Sequence, residues 1–105
     1  MNYDEVKAYI ESKYTDVLPS EEIDILFTNV ENLYLSKTSP FDLSVKFDKE
    51  NQRATNWVIR AVNKILEEGD IDILSYSENG LAIKLGTSMM TEITPFAGVG
   101  GNRSV

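Results

Sequence analysis

Four acidic clusters are the residues in this chain whose types and spacing first suggest chemistry: Glu21-Glu22, Asp48-Lys49-Glu50, Glu67-Glu68 and Asp70-Ile71-Asp72. Closely spaced carboxylates can ligate a hard cation or share a proton in general acid–base work. A calcium loop that begins at Asp48 or at Asp70 lacks the glycine needed at its sixth position, and its other ligand positions fall on apolar or basic residues. The two glutamate pairs lie at expected helix ends, where water reaches both carboxyls and nothing raises a pKa. The chain has no histidine and no cysteine, which removes the commonest general base, the commonest transition-metal ligands and any disulfide framework. Asp42-Leu43-Ser44 holds the residues of the phosphopantetheine attachment motif in the wrong order. The tail glycines follow the last element instead of leading a strand into a helix, so they form no phosphate cradle. The expectation is a protein without enzymatic activity, metal or cofactor.

Binding is the chemistry that remains. The formal charge is −7 with a pI near 4.5, which argues against a reader of nucleic-acid sequence, because such affinity comes largely from cations that neutralise phosphates. Protein partners fit better, or passive contact with DNA. Lys49, Arg53, Arg60 and Lys64, with Asn56 among them, recur at spacings of four and seven and share one side of a helix. Glu21, Glu22, Asp24 and Glu31 form an acidic face on another helix with no basic residue. Both faces can be simply solvated, each exposed pair then contributing about 0–1 kcal/mol. Alternatively they meet between neighbouring copies as unlike faces, an arrangement that closes into a ring when the rotation permits. Trp57, at the border of an apolar arc, suits either a core or an interface anchor.

The elements that must position these residues centre on residues 48–69. Ala54, Trp57, Val58, Ala61, Val62 and Ile65 fall on one arc at helical period, widened by Ile59 and Leu66, with Asp48 expected as N-cap and Gly69 as terminator. Before it, residues 2–13 read as a short amphipathic helix, Pro19 breaks the chain, and Ser20 is expected to cap a second helix through residue 35. Residues 41–47 alternate strictly, which suggests a short strand, although Ser39-Pro40 would also start a helix. After the central helix, Ile71, Ile73 and Leu74 lead through Ser77-Glu78-Asn79-Gly80 into Leu81, Ile83 and Leu85, a hairpin signal. Thr87 or Ser88 caps a last helical turn through Met89, Met90 and Ile93, ended by Pro95. With 105 residues there is room for one domain. The expected fold is mainly α: a small bundle of three main helices with a short β-hairpin, a single domain over residues 1–97, and a flexible tail over residues 98–105. No apolar run approaches the ~20 residues that span a bilayer, and the charged, amphipathic start points to a cytosolic, non-secreted protein without membrane contact.

The run Ser75-Tyr76-Ser77-Glu78-Asn79-Gly80-Leu81-Ala82-Ile83, followed by Ile93-Thr94-Pro95-Phe96-Ala97-Gly98-Val99, resembles the C-terminal signature of head–tail connector (adaptor) proteins of tailed bacteriophages. The resemblance covers the last half of the chain, and the layout agrees with it, since those proteins are short, mainly helical single domains with a small β-hairpin after the longest helix and an extended C-terminal segment. It implies a structural virion protein at the head–tail interface, assembled in the bacterial host cytoplasm. Copies would form a ring, typically twelvefold, beneath the portal protein, extend the DNA channel and present a surface to the next connector or stopper. DNA would be passive cargo. Portal contact would fall to the C-terminal segment, at Pro95, Phe96, Val99 and Arg103; a Gly-Gly-Asn-Arg extension beyond Gly98-Val99 departs from the pattern. The competing expectation, from charge alone, is a small acidic inhibitor or DNA mimic that binds a host nucleic-acid enzyme.

Overall fold

The computed structural model describes residues 2–68 and 78–93. Among them the chain is mainly helical: α1 (Tyr3–Lys13), α2 (Ser20–Thr38), α3 (Gln52–Glu68), α4 (Glu78–Leu85) and α5 (Thr87–Ile93). Asn2 starts α1 through a capping box, its side chain accepting from the Glu5 amide at 2.9 Å while Glu5 accepts from the Asn2 amide at 3.1 Å. Asp4 and Glu5 lie in the same first turn, where their charge suits the helix dipole. The chain then turns as Val17 and Leu18 both donate to the Tyr14 carbonyl, at 2.9 and 3.1 Å.

Three expected caps move, among them that of α5: Thr87 and Ser88 lie inside the helix, where the Met90 amide donates to the Gly86 carbonyl at 3.2 Å. Ser20 is the first residue of α2 and not its cap; Pro19 holds that position without a side-chain bond, its carbonyl accepting from Glu22 and Ile23. α2 runs past the expected stop at residue 35 to Thr38, and there the hydroxyls of Ser36 and Thr38 bond back to the Leu33 and Tyr34 carbonyls, each at 2.8 Å. For α3 the cap is Asn51, whose Oδ1 accepts from the Ala54 amide at 3.1 Å. Asp48 closes the turn before it, accepting from the Glu50 amide at 2.9 Å. Gly69, the expected terminator, lies outside the described residues.

The core is built around the expected arc of α3. Ala54, Trp57, Val58, Ala61, Val62, Ile65 and Leu66 are all buried, and Ile59 is partly so. α2 supplies Ile23, Leu26, Phe27, Val30, Leu33 and Tyr34 from the opposite side, α1 adds Tyr3 and Ile10, and the short helices close the end with Leu81, Leu85, Met89 and Ile93. An arc that wide needs neighbours on several sides, and α3 packs against α1, α2 and α4.

Two expected β features are corrected. Residues 78–85, read as the turn and second strand of a hairpin, form α4; the proposed first strand lies outside the described residues. Leu81 and Leu85, four apart, are buried on one side of the helix, while Ile83 between them is 81% exposed. The alternation Leu81-Ile83-Leu85 was therefore two core positions at helical spacing with an apolar residue on the outer face. Gly86, at φ 87°, turns the chain from α4 into α5 in a conformation that favours glycine. Residues 41–47 are neither strand nor helix. The Asp42 carboxylate accepts from the Ser44 amide at 3.0 Å and hydroxyl at 2.6 Å, folding the segment into an Asx-type turn, and no described strand is present to pair with it.

Candidate interaction surface

Among the described residues no three acidic side chains stand close enough to hold a metal ion, and no helix is long and apolar enough to cross a membrane. The site to build is a surface, beginning with the charged faces of α2 and α3.

Arg53, Arg60 and Lys64 share one side of α3, as their spacing requires, while Lys49 lies ahead of the helix and faces α1, and most of the row is engaged within the molecule. Arg60 grips the Glu92 carboxylate with both terminal nitrogens, Nη2 to Oε1 at 2.5 Å and Nη1 to Oε2 at 3.1 Å, a planar fork matched to a planar anion. Arg53 donates to the Glu92 carbonyl at 3.4 Å. Lys49, just ahead of α3, pairs with Asp4 of α1 at 3.1 Å. Lys64 is exposed and makes no ion pair among the described residues. The row thus clamps the last turn of α5 to α3 and ties α1 to the α3 approach. Glu92, which was not singled out from the sequence, is the centre of that clamp; its signal was a lone acid in the last turn before Ile93.

The acidic face divides in the same way. Asp24 pairs with Lys7 at 2.5 Å, and Glu31 accepts from the hydroxyl of the buried Tyr3. Burial, then the Glu31 bond and charge, push the Tyr3 phenol well above its ordinary range. Burial, the largest single influence, lowers Lys7, but the Asp24 bond together with the charges of Asp24, Glu31 and Glu11 outweighs it, and the ammonium is held above its usual value while lying 5.6 Å from the Phe27 ring centre. Glu21 and Glu22 remain in the first turn of α2, Glu21 exposed and Glu22 half-buried.

Arg60 holds the Glu92 carboxyl below the usual carboxylate range, and Glu92 in turn raises Arg60. The sign of the linkage follows. A lowered folded pKa means the clamp contributes fully above the unfolded value of 4.5 and is lost as pH falls through the folded one. Both groups are about half exposed, so the contribution is only about 1 kcal/mol or less. Urea midpoints of wild type and Glu92→Gln should differ at neutral pH and converge as the pH falls from 4.5 through the lowered folded value. A difference that persists unchanged into acid would show that the clamp is not the source of the effect.

Two surface features went unrecognised in the sequence. Phe41 and Leu43 are 97% and 98% exposed, on a loop whose far end is anchored by Phe47 against Tyr3 (ring centres 5.4 Å apart) and Tyr34 (6.1 Å). Alternation without any partner strand was the available clue. The second is a half-open groove of about 410 Å³ between α1 and the start of α3, with Tyr3, Val6 and Ile59 as its apolar part and Lys49, Glu50 and Asn56 among its polar lining. The expected portal contacts Pro95, Phe96, Val99 and Arg103 lie outside the described residues, two or more positions beyond Ile93. No family model matches this sequence, and neither a curated protein nor a solved structure matches it.

Proposed function

We propose that this protein is a structural, non-enzymatic head–tail connector of a tailed bacteriophage, assembling as a ring of copies beneath a portal and passing DNA through its centre. The observation that carries the reading is the resemblance of residues 75–83 and 93–99 to the C-terminal signature of those adaptors. The mainly helical class is compatible with it, while residues 78–83 of that signature form α4 where the family layout implies a hairpin. The Arg60–Glu92 clamp supports it as well, because it fixes the chain at the residue before Ile93, where the segment bearing Pro95, Phe96, Val99 and Arg103 begins. A docking segment that leaves from a held point needs fewer conformations frozen when it binds. The net charge of −7 suits a channel, since repeated acidic subunits give a duplex little to grip and let it slide.

The acidic-inhibitor reading needs a rigid carboxylate array open to solvent. Asp24 and Glu31 are instead committed to Lys7 and Tyr3, which leaves Glu21 and Glu22 as a small patch on α2.

The test is negative-stain electron microscopy of the purified protein mixed with the portal protein encoded by the same genome, beside a copy truncated after Thr94. An added ring under the portal, absent with the truncated copy, is expected. No added density with the full-length chain, or a genome that encodes no portal, overturns the connector reading; DNA displacement from host nucleases and polymerases then becomes the assay of choice.

A further inference from the structure

The connection between α2 and α3 joins properties that no other described segment combines: non-helical backbone, an unbroken run of exposed residues, and large apolar side chains standing in water. Residues 40–46 are all exposed, Phe41 and Leu43 almost completely. Tyr9, Ile25 and Ile83 are exposed as well, but they sit within α1, α2 and α4. The turn between α1 and α2 keeps Leu18 buried and Tyr14 and Val17 half-buried.

An endopeptidase asks for that combination. Its cleft takes the substrate as extended chain, pairing with the substrate's own amides and carbonyls as a neighbouring strand would, while its primary pocket takes one side chain. A helical residue meets neither demand until its helix opens, so cutting there is held down by the small population of the open form. Residues 40–46 need much less. The Asp42 amide donates to the Ser39 carbonyl at 3.3 Å and the Val45 amide to the Asp42 carbonyl at 3.4 Å, both long, and the Ser44 amide is held by the Asp42 side chain at 3.0 Å. These bonds lie in water, which replaces each one as it breaks. On one side the Ser39 amide closes α2 on the Leu35 carbonyl at 2.8 Å, and on the other Phe47 is seated against Tyr3 and Tyr34. The loop between those points can extend without disturbing either helix.

We infer that the α2–α3 connection is a limited-proteolysis site, cut after Phe41 or Leu43 by a serine-type endopeptidase whose primary pocket accepts a large apolar side chain, and that the cut protein keeps its fold. Water is the second reactant. Its oxygen joins the Phe41 or Leu43 carbonyl carbon to give a carboxylate, the C–N bond breaks, and the Asp42 or Ser44 nitrogen leaves as an ammonium carrying both of the water's protons. The halves stay together because α2 on one piece packs against α3, α4 and α5 on the other. Phe47 and Lys49, both on the C-terminal piece, still hold Tyr3, Tyr34 and Asp4 on the N-terminal one. Scission removes a covalent tie and no buried contact, so the product is a two-chain complex.

Chymotrypsin, whose primary pocket is a hydrophobic slot, is the probe. In a time course at low enzyme ratio, intact masses should show residues 1–41 with 42–105, or 1–43 with 44–105, as the first products. The two pieces should co-elute on gel filtration and keep the far-UV circular dichroism of the uncut chain. The double variant Phe41→Ser/Leu43→Ser should melt like wild type, since both side chains are exposed. Its cutting at this loop should slow at least about tenfold, because an apolar pocket discriminates by the side chain it buries. A first cut elsewhere, cutting at the loop undiminished in the double variant, or halves that separate or lose helix overturns the inference.

Discussion

Trp57→Ala is expected to remove about 3–5 kcal/mol of stability, a large share of the roughly 5–15 kcal/mol that holds a domain of this size together. The indole is 1% exposed. Its ring lies 5.7 Å from that of Tyr34 on α2, and its N–H donates to the Met89 carbonyl of α5 at 2.9 Å. Truncation would open a cavity where three helices meet and leave that carbonyl without its cross-helix donor. Trp57→Phe keeps most of the volume and should cost less, about 1–2 kcal/mol, the loss of the hydrogen bond and of part of the packing. Urea unfolding followed by far-UV circular dichroism measures both. The contrast also decides between the two roles open to this residue from sequence. An interface anchor would leave the monomer's stability within about 0.5 kcal/mol of wild type and weaken only its assembly.

Long periodic segments were legible in the sequence, and short apolar runs were not. Ala54, Trp57, Val58, Ala61, Val62 and Ile65 form the buried side of α3 as their spacing required, and Ile23, Leu26, Phe27, Val30, Leu33 and Tyr34 do so on α2. Over several turns only one period fits such a pattern. Leu81-Ala82-Ile83-Lys84-Leu85 is too short for that: positions i, i+2 and i+4 satisfy a strand, while i and i+4 satisfy a helix. Asn79-Gly80 tipped the reading toward a turn, yet both residues lie in the first turn of α4, where glycine costs less than in a helix interior. The caps failed for a related reason. Asp48 and Ser20 were the expected starts, Asn51 and Pro19 hold those places, and the choice depends on where the helix must begin to bury its arc. On the surface, the row Lys49, Arg53, Arg60 and Lys64 was visible as a set. Its partners Asp4 and Glu92 lie 45 and 32 positions from the residues they pair with, and no local pattern reports such pairing. Phe41 and Leu43 were misplaced for the opposite reason: alternation implies a half-buried sheet, and burial needs a neighbour that the described chain does not provide.

The second large effect concerns α4 and tests that ambiguity directly. Leu81→Ala and Leu85→Ala should each lower stability by about 2–5 kcal/mol, since both side chains are buried against the core and their removal leaves cavities. Ile83→Ala, two residues from either, should lie within about 0.5 kcal/mol of wild type, because its side chain is 81% exposed and alanine is the better helix former. The pattern carries more information than any single value. In a strand the three side chains share one face, and truncating each would cost a similar amount. In a helix, 81 and 85 stack one turn apart while 83 points about 200° away from 81. Urea midpoints for the three variants read this out without a new structure. Large losses at 81 and 85 with none at 83 place Leu81 and Leu85 on the inner face of a helix; equal losses at all three would put them on one buried strand. The outcome also bears on α5, which continues from α4 through Gly86 and ends at the Glu92 clamp: if α4 is held by Leu81 and Leu85, the clamp is the far end of a supported pair of helices, and the segment after Ile93 starts from a fixed place.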